Sequence, residues 1–282
     1  MSDVIHWYPG HMNKTRRDIA EAMPVTDVVI EVLDARLPSA SSNPMLAEMR
    51  RANPDRVVPC IKLLNKKDLA DPEATAEWKK HFEREDGVAA LPISANLPGC
   101  ARAIIEECHR LGAKRLEKSR TVRVMIQGIP NTGKSTLLNT LKGKKVTQTG
   151  NEPGVTKQLQ RVDIGGGVIV HDTPGMMWPK IDDQKVGWLL AMSGAIRDTA
   201  VDAGDVGLYA VRWLRENHPD ALMKRYAIEK LPDDALAILV AIGAKRGCLS
   251  PGGEVNHRKA ADMLLFELRG GKLGRISFEW PD

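Results

Sequence analysis

Residues 128–135 read GIPNTGKS, and this octet constrains the fold more than any other stretch of the chain. It matches G-x-x-x-x-G-K-[ST], a loop whose glycines let backbone N–H groups approach phosphate oxygens. Such a loop works only between a strand and a helix. Both are present in pattern: VRVMIQG (122–128) is an apolar run of strand length, and GKSTLLNTLKG (133–143) has helical spacing. In that frame Lys134 would neutralise β- and γ-phosphate oxygens and the Ser135 hydroxyl would hold Mg²⁺. Asn131, Thr132, Gly133 and Thr136 complete a cradle at a helix N-terminus, where an anion is favoured.

Further short segments supply the rest of a nucleotide site. HDTPG places Asp172 at the end of an apolar strand and Gly175 three residues later. In that D-x-x-G arrangement the carboxylate supports Mg²⁺ and the glycine amide senses the γ-phosphate. Thr156, in the NEPGVTK loop between these motifs, is the candidate switch threonine for closing over the metal. NKKD, residues 65–68, follows the apolar strand VVPCIKLLN. Guanine presents N1–H and N2–H₂ as adjacent donors that the Asp68 carboxylate can accept together, whereas adenine offers an acceptor at N1. Asn65, Lys66 and Asp68 therefore favour GTP over ATP. ISAN (93–96) then places Ser94 and Ala95 after the next strand, where in GTPases a backbone N–H meets guanine O6.

The order of these motifs is unusual. An ordinary small GTPase runs P-loop, threonine, D-x-x-G, NKxD, SAx; here NKKD and SAN come first. A strand–loop–helix unit can keep its place in a sheet while the chain begins elsewhere, because termini lie at the surface. The expectation is a circular permutation. It makes the segment after Gly175, MMWPKIDDQ, lead straight out of the nucleotide domain, so a γ-phosphate-dependent movement there could reorient the next domain.

Strand-like runs at 27–35, 57–65, 88–94, 122–128 and 167–172 alternate with helical patterns at 43–52, 72–85, 101–118 and 133–143. That alternation predicts a mainly parallel sheet with helices on both faces. Beyond about residue 180 helical patterns dominate, at 184–197, 203–216, 233–247 and 257–270, ending in a short GRISFEW tail. The predicted organisation is an α/β nucleotide domain over 1–180 and an all-α domain over 181–282. Hydrophobic residues make up 43% of 282, enough for a sizeable core. The net charge of +5 is spread along the chain with no basic arm, so charge permits a polyanionic partner without demonstrating one. Cys60, Cys100, Cys108 and Cys248 form no metal-ligand spacing and read as reduced thiols. No secretory or transit segment and no apolar run of membrane-spanning length is present, which predicts a soluble, cytoplasmic protein.

Taken together, the sequence resembles the circularly permuted GTPases of ribosome biogenesis, the YlqF/RbgA type. Beyond the nucleotide motifs the resemblance rests on WYPGHM (7–12), DARLP (34–38), GVT (154–156), DTPGMMWPK (172–180), SGAIRD (193–198) and KRGCL (245–249), and it covers essentially the whole chain. It implies an assembly factor that binds late precursors of the large ribosomal subunit through rRNA, hydrolyses GTP as they mature and is then released. It also implies an rRNA-facing helical domain. Met176 stands where a water-orienting Gln follows D-x-x-G in other GTPases, and Met can do no such work. In the resembling family a His in the P-G-H-M segment is proposed instead, which maps to His11. Packing or RNA contact is the competing reading of that residue. Asn131 matches the P-loop Asn of potassium-activated GTPases, which implies a K⁺ ion beside the β,γ-bridge. Trp7, Tyr8, Lys14, Arg16 and Arg17 form an aromatic and basic mix suited to RNA, or an ordinary amphipathic helix. Lys144, Lys145, Lys245 and Arg246 read as solvated charges first. A regulatory GTP switch that recruits a protein effector is the alternative function. No DNA or membrane partner is expected.

Overall fold

The computed structural model describes residues 12–97, 99–142, 160–172, 181, 183–196 and 201–282. They fall into two compact units: Ile181–Ile276 form one, and the described residues before them together with Ser277–Asp282 form the other. The last six residues thus depart from the expected division at 180, which assigned them to the helical domain. SFEWPD has no helical period, and its residues make backbone and side-chain bonds to Arg36, Ser39, Ala40, Asp71 and Trp78 instead.

The first unit begins with helix α1 (Met12–Ala22), followed by strand β1 (Val28–Asp34), the one-turn helix α2 (Pro38–Ser41), helix α3 (Pro44–Arg51) and strand β2 (Cys60–Asn65). Helix α4 (Pro72–Phe82), strand β3 (Val88–Pro92), helices α5 (Cys100–Leu111) and α6 (Ala113–Ser119) and strand β4 (Val122–Gln127) come next. Helix α7 (Lys134–Lys142) and strands β5 (Gln160–Asp163) and β6 (Val168–Asp172) complete it. The expected helix over 101–118 is broken at Gly112. Its N–H bonds back to Cys108 O at 2.8 Å, and a Cβ there would meet Cys108 O and Val122 at 2.8 Å. Strand β5 gave no periodic signal, because its four residues, QRVD, are too few to establish one.

The six strands are ordered β3-β2-β1-β4-β6-β5, all parallel except β5, which pairs antiparallel at the edge. Both faces of β1 are buried, which explains its unbroken apolar run. Val28, Ile30 and Val32 pack with Ile104 and Cys108 of α5 and Leu137, Leu138 and Leu141 of α7. On the other face Val29 packs with Ile19 and Leu46, and Leu33 with Leu64 and Trp78. Connections run outward in opposite directions from the β1/β4 junction. That is a topological switch point, where the strand ends of an open α/β sheet form a ligand crevice.

A charged pair interrupts the second face. Glu31 and Lys62 face each other in register, both nearly inaccessible, with Lys62 Nζ 2.7 Å from Glu31 Oε2. The Asn43 amide donates to Glu31 Oε1 at 2.8 Å, the Lys62 ammonium donates to Ser42 Oγ at 2.9 Å, and it lies 4.7 Å from the Phe82 ring centroid. Burial pushes the Lys62 pKa down, but the Glu31 charge and hydrogen bond outweigh it and the net shift is upward. Both side chains of the pair have hydrogen-bond partners. The cysteines are free thiols; burial pushes Cys60 up to about 11 and Cys108 up to about 12, so neither forms thiolate near neutral pH.

The second unit consists of helices α8 (Gln184–Ser193), α9 (Ala203–Asn217), α10 (Pro219–Tyr226), α11 (Ala235–Lys245) and α12 (His257–Arg269). Asp183, Asp202, Asp234 and Asn256 cap four of these N-termini through their side chains. Gly207 brings α9 against α12, since a Cβ there would strike Ala261. Glu267 on α12 receives Arg225 at 2.6 and 2.9 Å and Arg246 at 3.3 Å. Arg246, which the sequence offers as a solvated charge, is therefore partly committed within its own unit and also lies over the Tyr226 ring.

Lys62→Met, which strands the Glu31 carboxylate in the sheet, is expected to cost about 3–5 kcal/mol of unfolding free energy, and adding Glu31→Gln to recover much of that loss. Urea denaturation of the single and double variants reads both effects; a double variant less stable than the single one contradicts the buried-pair account.

Candidate nucleotide site

The motifs converge because the parallel strands deliver them to one edge of the sheet. Asn65 ends β2, in register with Asp34 at the end of β1; Ser94 and Ala95 follow β3; Gly128 follows β4. Asp172 ends β6 opposite Ile126 of β4, so its backbone stands beside the strand that leads into the P-loop. The side-chain placement of Asp172 lies outside the described residues, as do His11, Thr156, Gly175 and Met176 altogether.

One side chain ties the loops together. Asn65 Nδ2 donates to the Thr132 carbonyl at 2.7 Å, and Asn65 Oδ1 accepts the Ala95 amide at 2.8 Å. The P-loop, the NKKD loop and the SAN loop are thereby joined through one carboxamide. It also explains Gly133: with φ of +94° and a Cβ position that would run into Asn65 Nδ2, no side chain fits there. The Ala95 amide, in the loop from which a backbone N–H is expected to meet guanine O6, is engaged in this bridge. Thr140 of α7 adds a second tie, donating from Oγ1 to Ala95 O at 2.6 Å.

The P-loop is shaped by its own bonds and by its neighbours. Asn131 adopts φ of +62°, a left-handed conformation that Asn tolerates better than most residues. Thr132 Oγ1 donates to Ile129 O at 3.0 Å, and a Cβ at Gly128 would meet Val32 O at 2.7 Å. Lys134 is buried at the start of α7, with Ser135 and Thr136 half-buried after it. The Ser135 hydroxyl and the Asp172 carboxylate are hard oxygen donors of the kind that Mg²⁺ takes, and the Ile126–Asp172 pairing puts the strand of Asp172 beside the strand that leads into the P-loop.

At the base-reading end Ser94 Oγ donates to Asp68 Oδ1 at 2.6 Å, orienting an exposed carboxylate. Lys66 turns the other way. Its backbone is left-handed, with φ of +63°, and its Nζ donates to Asn131 O at 2.7 Å and to Asp34 Oδ2 at 2.8 Å. Burial lowers the Lys66 pKa below its ordinary value even though Asp34 opposes the shift. For Asp34, burial alone would raise the pKa, but the Arg36 and Lys66 charges hold the carboxyl well below the usual range. The buried ion pair of Asp34 and Arg36, which adjoins the P-loop through Lys66, is a feature that sequence reasoning missed. DARLP was visible only as a resemblance, because nothing in it announces a partner 32 residues away.

Fold and site together define a circularly permuted P-loop GTPase. Residues 123–240 match the family model described as 50S ribosome-binding GTPase. The chain is 43% identical to ribosome biogenesis GTPase A of Bacillus licheniformis, over 99% of each chain, and 31% identical to its counterpart from Thermotoga maritima, over 98% of this chain and 94% of that one. A crystal structure of GNP-bound YlqF from T. maritima superposes with a TM-score of 0.65 at 28% identity, covering 95% of this chain and 99% of that one. The chain belongs to the ribosome biogenesis GTPase A family.

Asn65→Ala removes both bonds of the bridge. It is expected to cost about 2 kcal/mol of nucleotide affinity, roughly thirtyfold in Kd, for GTP and GDP alike. Fluorescence titration with labelled nucleotides measures this, and unchanged affinity for both would contradict the role given to Asn65.

Proposed function

We propose that this chain is a GTP-hydrolysing assembly factor that binds precursors of the large ribosomal subunit through rRNA and leaves them on hydrolysis. The bridge from Asn65 to Thr132 and Ala95 carries the nucleotide half of this reading, because it unites base reader and phosphate cradle despite their inverted order. Family membership supports the ribosomal half.

Asp68 accepts the guanine N1–H and N2–H₂, and Lys66 lies along the base and P-loop. Amides and side chains of Asn131, Thr132, Gly133, Lys134, Ser135 and Thr136 receive the phosphates at the α7 N-terminus. Ser135, Asp172 and Thr156 would hold Mg²⁺, which when bound would supply positive charge against the phosphate oxygens. Gly175 senses the γ-phosphate and Lys134 stabilises charge on the transferring group, while Asn131 would help seat K⁺, which would supply positive charge beside the phosphates. His11 orients the attacking water in place of the Gln that Met176 replaces, a task open to an imidazole ring nitrogen.

Residues 1–180 form the GTPase domain in this proposal and 181–276 the rRNA-facing helical domain, with 277–282 returning to the former. Arg16 and Arg17, exposed on α1, are candidate RNA contacts. Among the described residues no helix is long and apolar enough to cross a membrane. We place the protein in the cytoplasm, where precursor particles form.

Sedimentation with large-subunit precursors, in a non-hydrolysable GTP analogue and in GDP, should show association with the former and loss with the latter; absence of association in both nucleotides removes the ribosomal half. On such particles turnover should fall at least tenfold on replacing KCl by NaCl, and likewise for His11→Ala at unchanged GTP affinity. Equal rates in the two salts would remove the K⁺ assignment, and an affinity loss matching the rate loss would remove that of His11.

A further inference from the structure

The last residues of the chain reach the nucleotide site through a continuous series of bonds that the GTPase reading leaves unused. Phe278, itself buried, donates its N–H to Arg36 O at 2.5 Å, and the Arg36 guanidinium carbon lies 5.3 Å from the Phe278 ring centroid. That guanidinium grips Asp34 bidentately, Nε to Oδ1 at 2.9 Å and Nη2 to Oδ2 at 2.7 Å. Asp34 Oδ2 in turn holds Lys66 Nζ, which bonds the Asn131 carbonyl of the P-loop.

Neighbouring residues fasten this segment. The Glu279 carboxylate accepts the amides of Ser39 and Ala40, the latter at 3.0 Å, and Trp78 Nε1 donates to Glu279 O at 3.1 Å. The Asp71 amide donates to Ser277 Oγ at 3.1 Å. These attachments span the α2 turn, the start of α4 and the β1 exit, so they fix the segment at both sides of Arg36.

We propose that Ser277–Asp282 act as a strap that positions Lys66 for nucleotide binding through Arg36 and Asp34. The physical reason is dielectric. With Phe278 in place Arg36 and Asp34 are only 2% and 3% exposed, and an ion pair shielded from water keeps its geometry and strength. Withdrawing the ring admits water to that pair, screens Asp34, and frees the Lys66 ammonium to leave the Asn131 carbonyl. Asp34, Arg36 and Phe278 are positioning residues; none is required to touch the nucleotide. The inference rests on the nucleotide site proposed above.

The test uses the full-length protein and a fluorescent GDP analogue. Phe278→Ala should weaken binding about fivefold and Lys66→Ala about tenfold, while the double variant should match Lys66→Ala within twofold, because both changes act through one ammonium group. Losses that multiply in the double variant, or a Phe278→Ala affinity within twofold of the parent, overturn the strap. If Phe278→Ala does not fold, Glu279→Gln, which keeps the shape and removes the charge, replaces it in the same cycle with the same two outcomes. An unchanged affinity in Lys66→Ala would show that the site assignment itself fails, and the strap with it; a Lys66 effect without a Phe278 effect overturns the strap alone.

Discussion

The carboxamide of Asn65 is the contact on which the site depends. A planar group with one donor end and one acceptor end suits a place where a P-loop carbonyl and an amide from the SAN loop face each other, and both bonds are short. Asp could accept the Ala95 amide but would set a charge against the Thr132 carbonyl. The bridge also dictates glycine at 133, so a backbone requirement in one motif comes from a side chain in another. Local sequence and distant packing agree here, as they must when a chain settles into one structure.

Circular permutation leaves that contact intact because it changes only which loops are cut. Strands β1, β2 and β3 build one flank and β4, β6 and β5 the other, and the β1/β4 junction joins them through parallel pairing between residues nearly a hundred positions apart. The price of such long-range pairing is slow assembly, since a large loop must close before the contacts reward it. The two halves of the nucleotide site thus sit on separate stretches of sequence and are cross-linked to each other: Thr140 to Ala95 and Lys66 to Asn131 reinforce what Asn65 begins.

Much of this was legible in the sequence. Strands β1 and β2 announce themselves as apolar runs because both their faces are buried, and the motifs sit at strand ends. Less visible were features set by register or by the terminal segment. The partnership of Asp34 with Lys66 depends on Asp34 and Asn65 lying opposite each other, which no local pattern encodes. Strand β5 is short, α10 starts at Pro219 straight after α9 ends, and SFEWPD shows a period of neither helix nor strand. Its place on the first unit is fixed by Glu279 finding partners more than 200 residues earlier and by Phe278 meeting Arg36. His11, Thr156 and Gly175 belong to stretches outside the described residues, and their roles rest on motif and family alone.

In the proposed function Asp68 and the P-loop grip opposite ends of one guanine nucleotide. Replacing Asp68 by Asn and comparing Kd for GTP and for xanthosine triphosphate tests it most directly, because xanthine presents an acceptor where guanine presents its N2 amino group. Folded Asp68→Asn protein should lose GTP affinity and bind the xanthine nucleotide more tightly than GTP. Retention of GTP preference in that variant would contradict it.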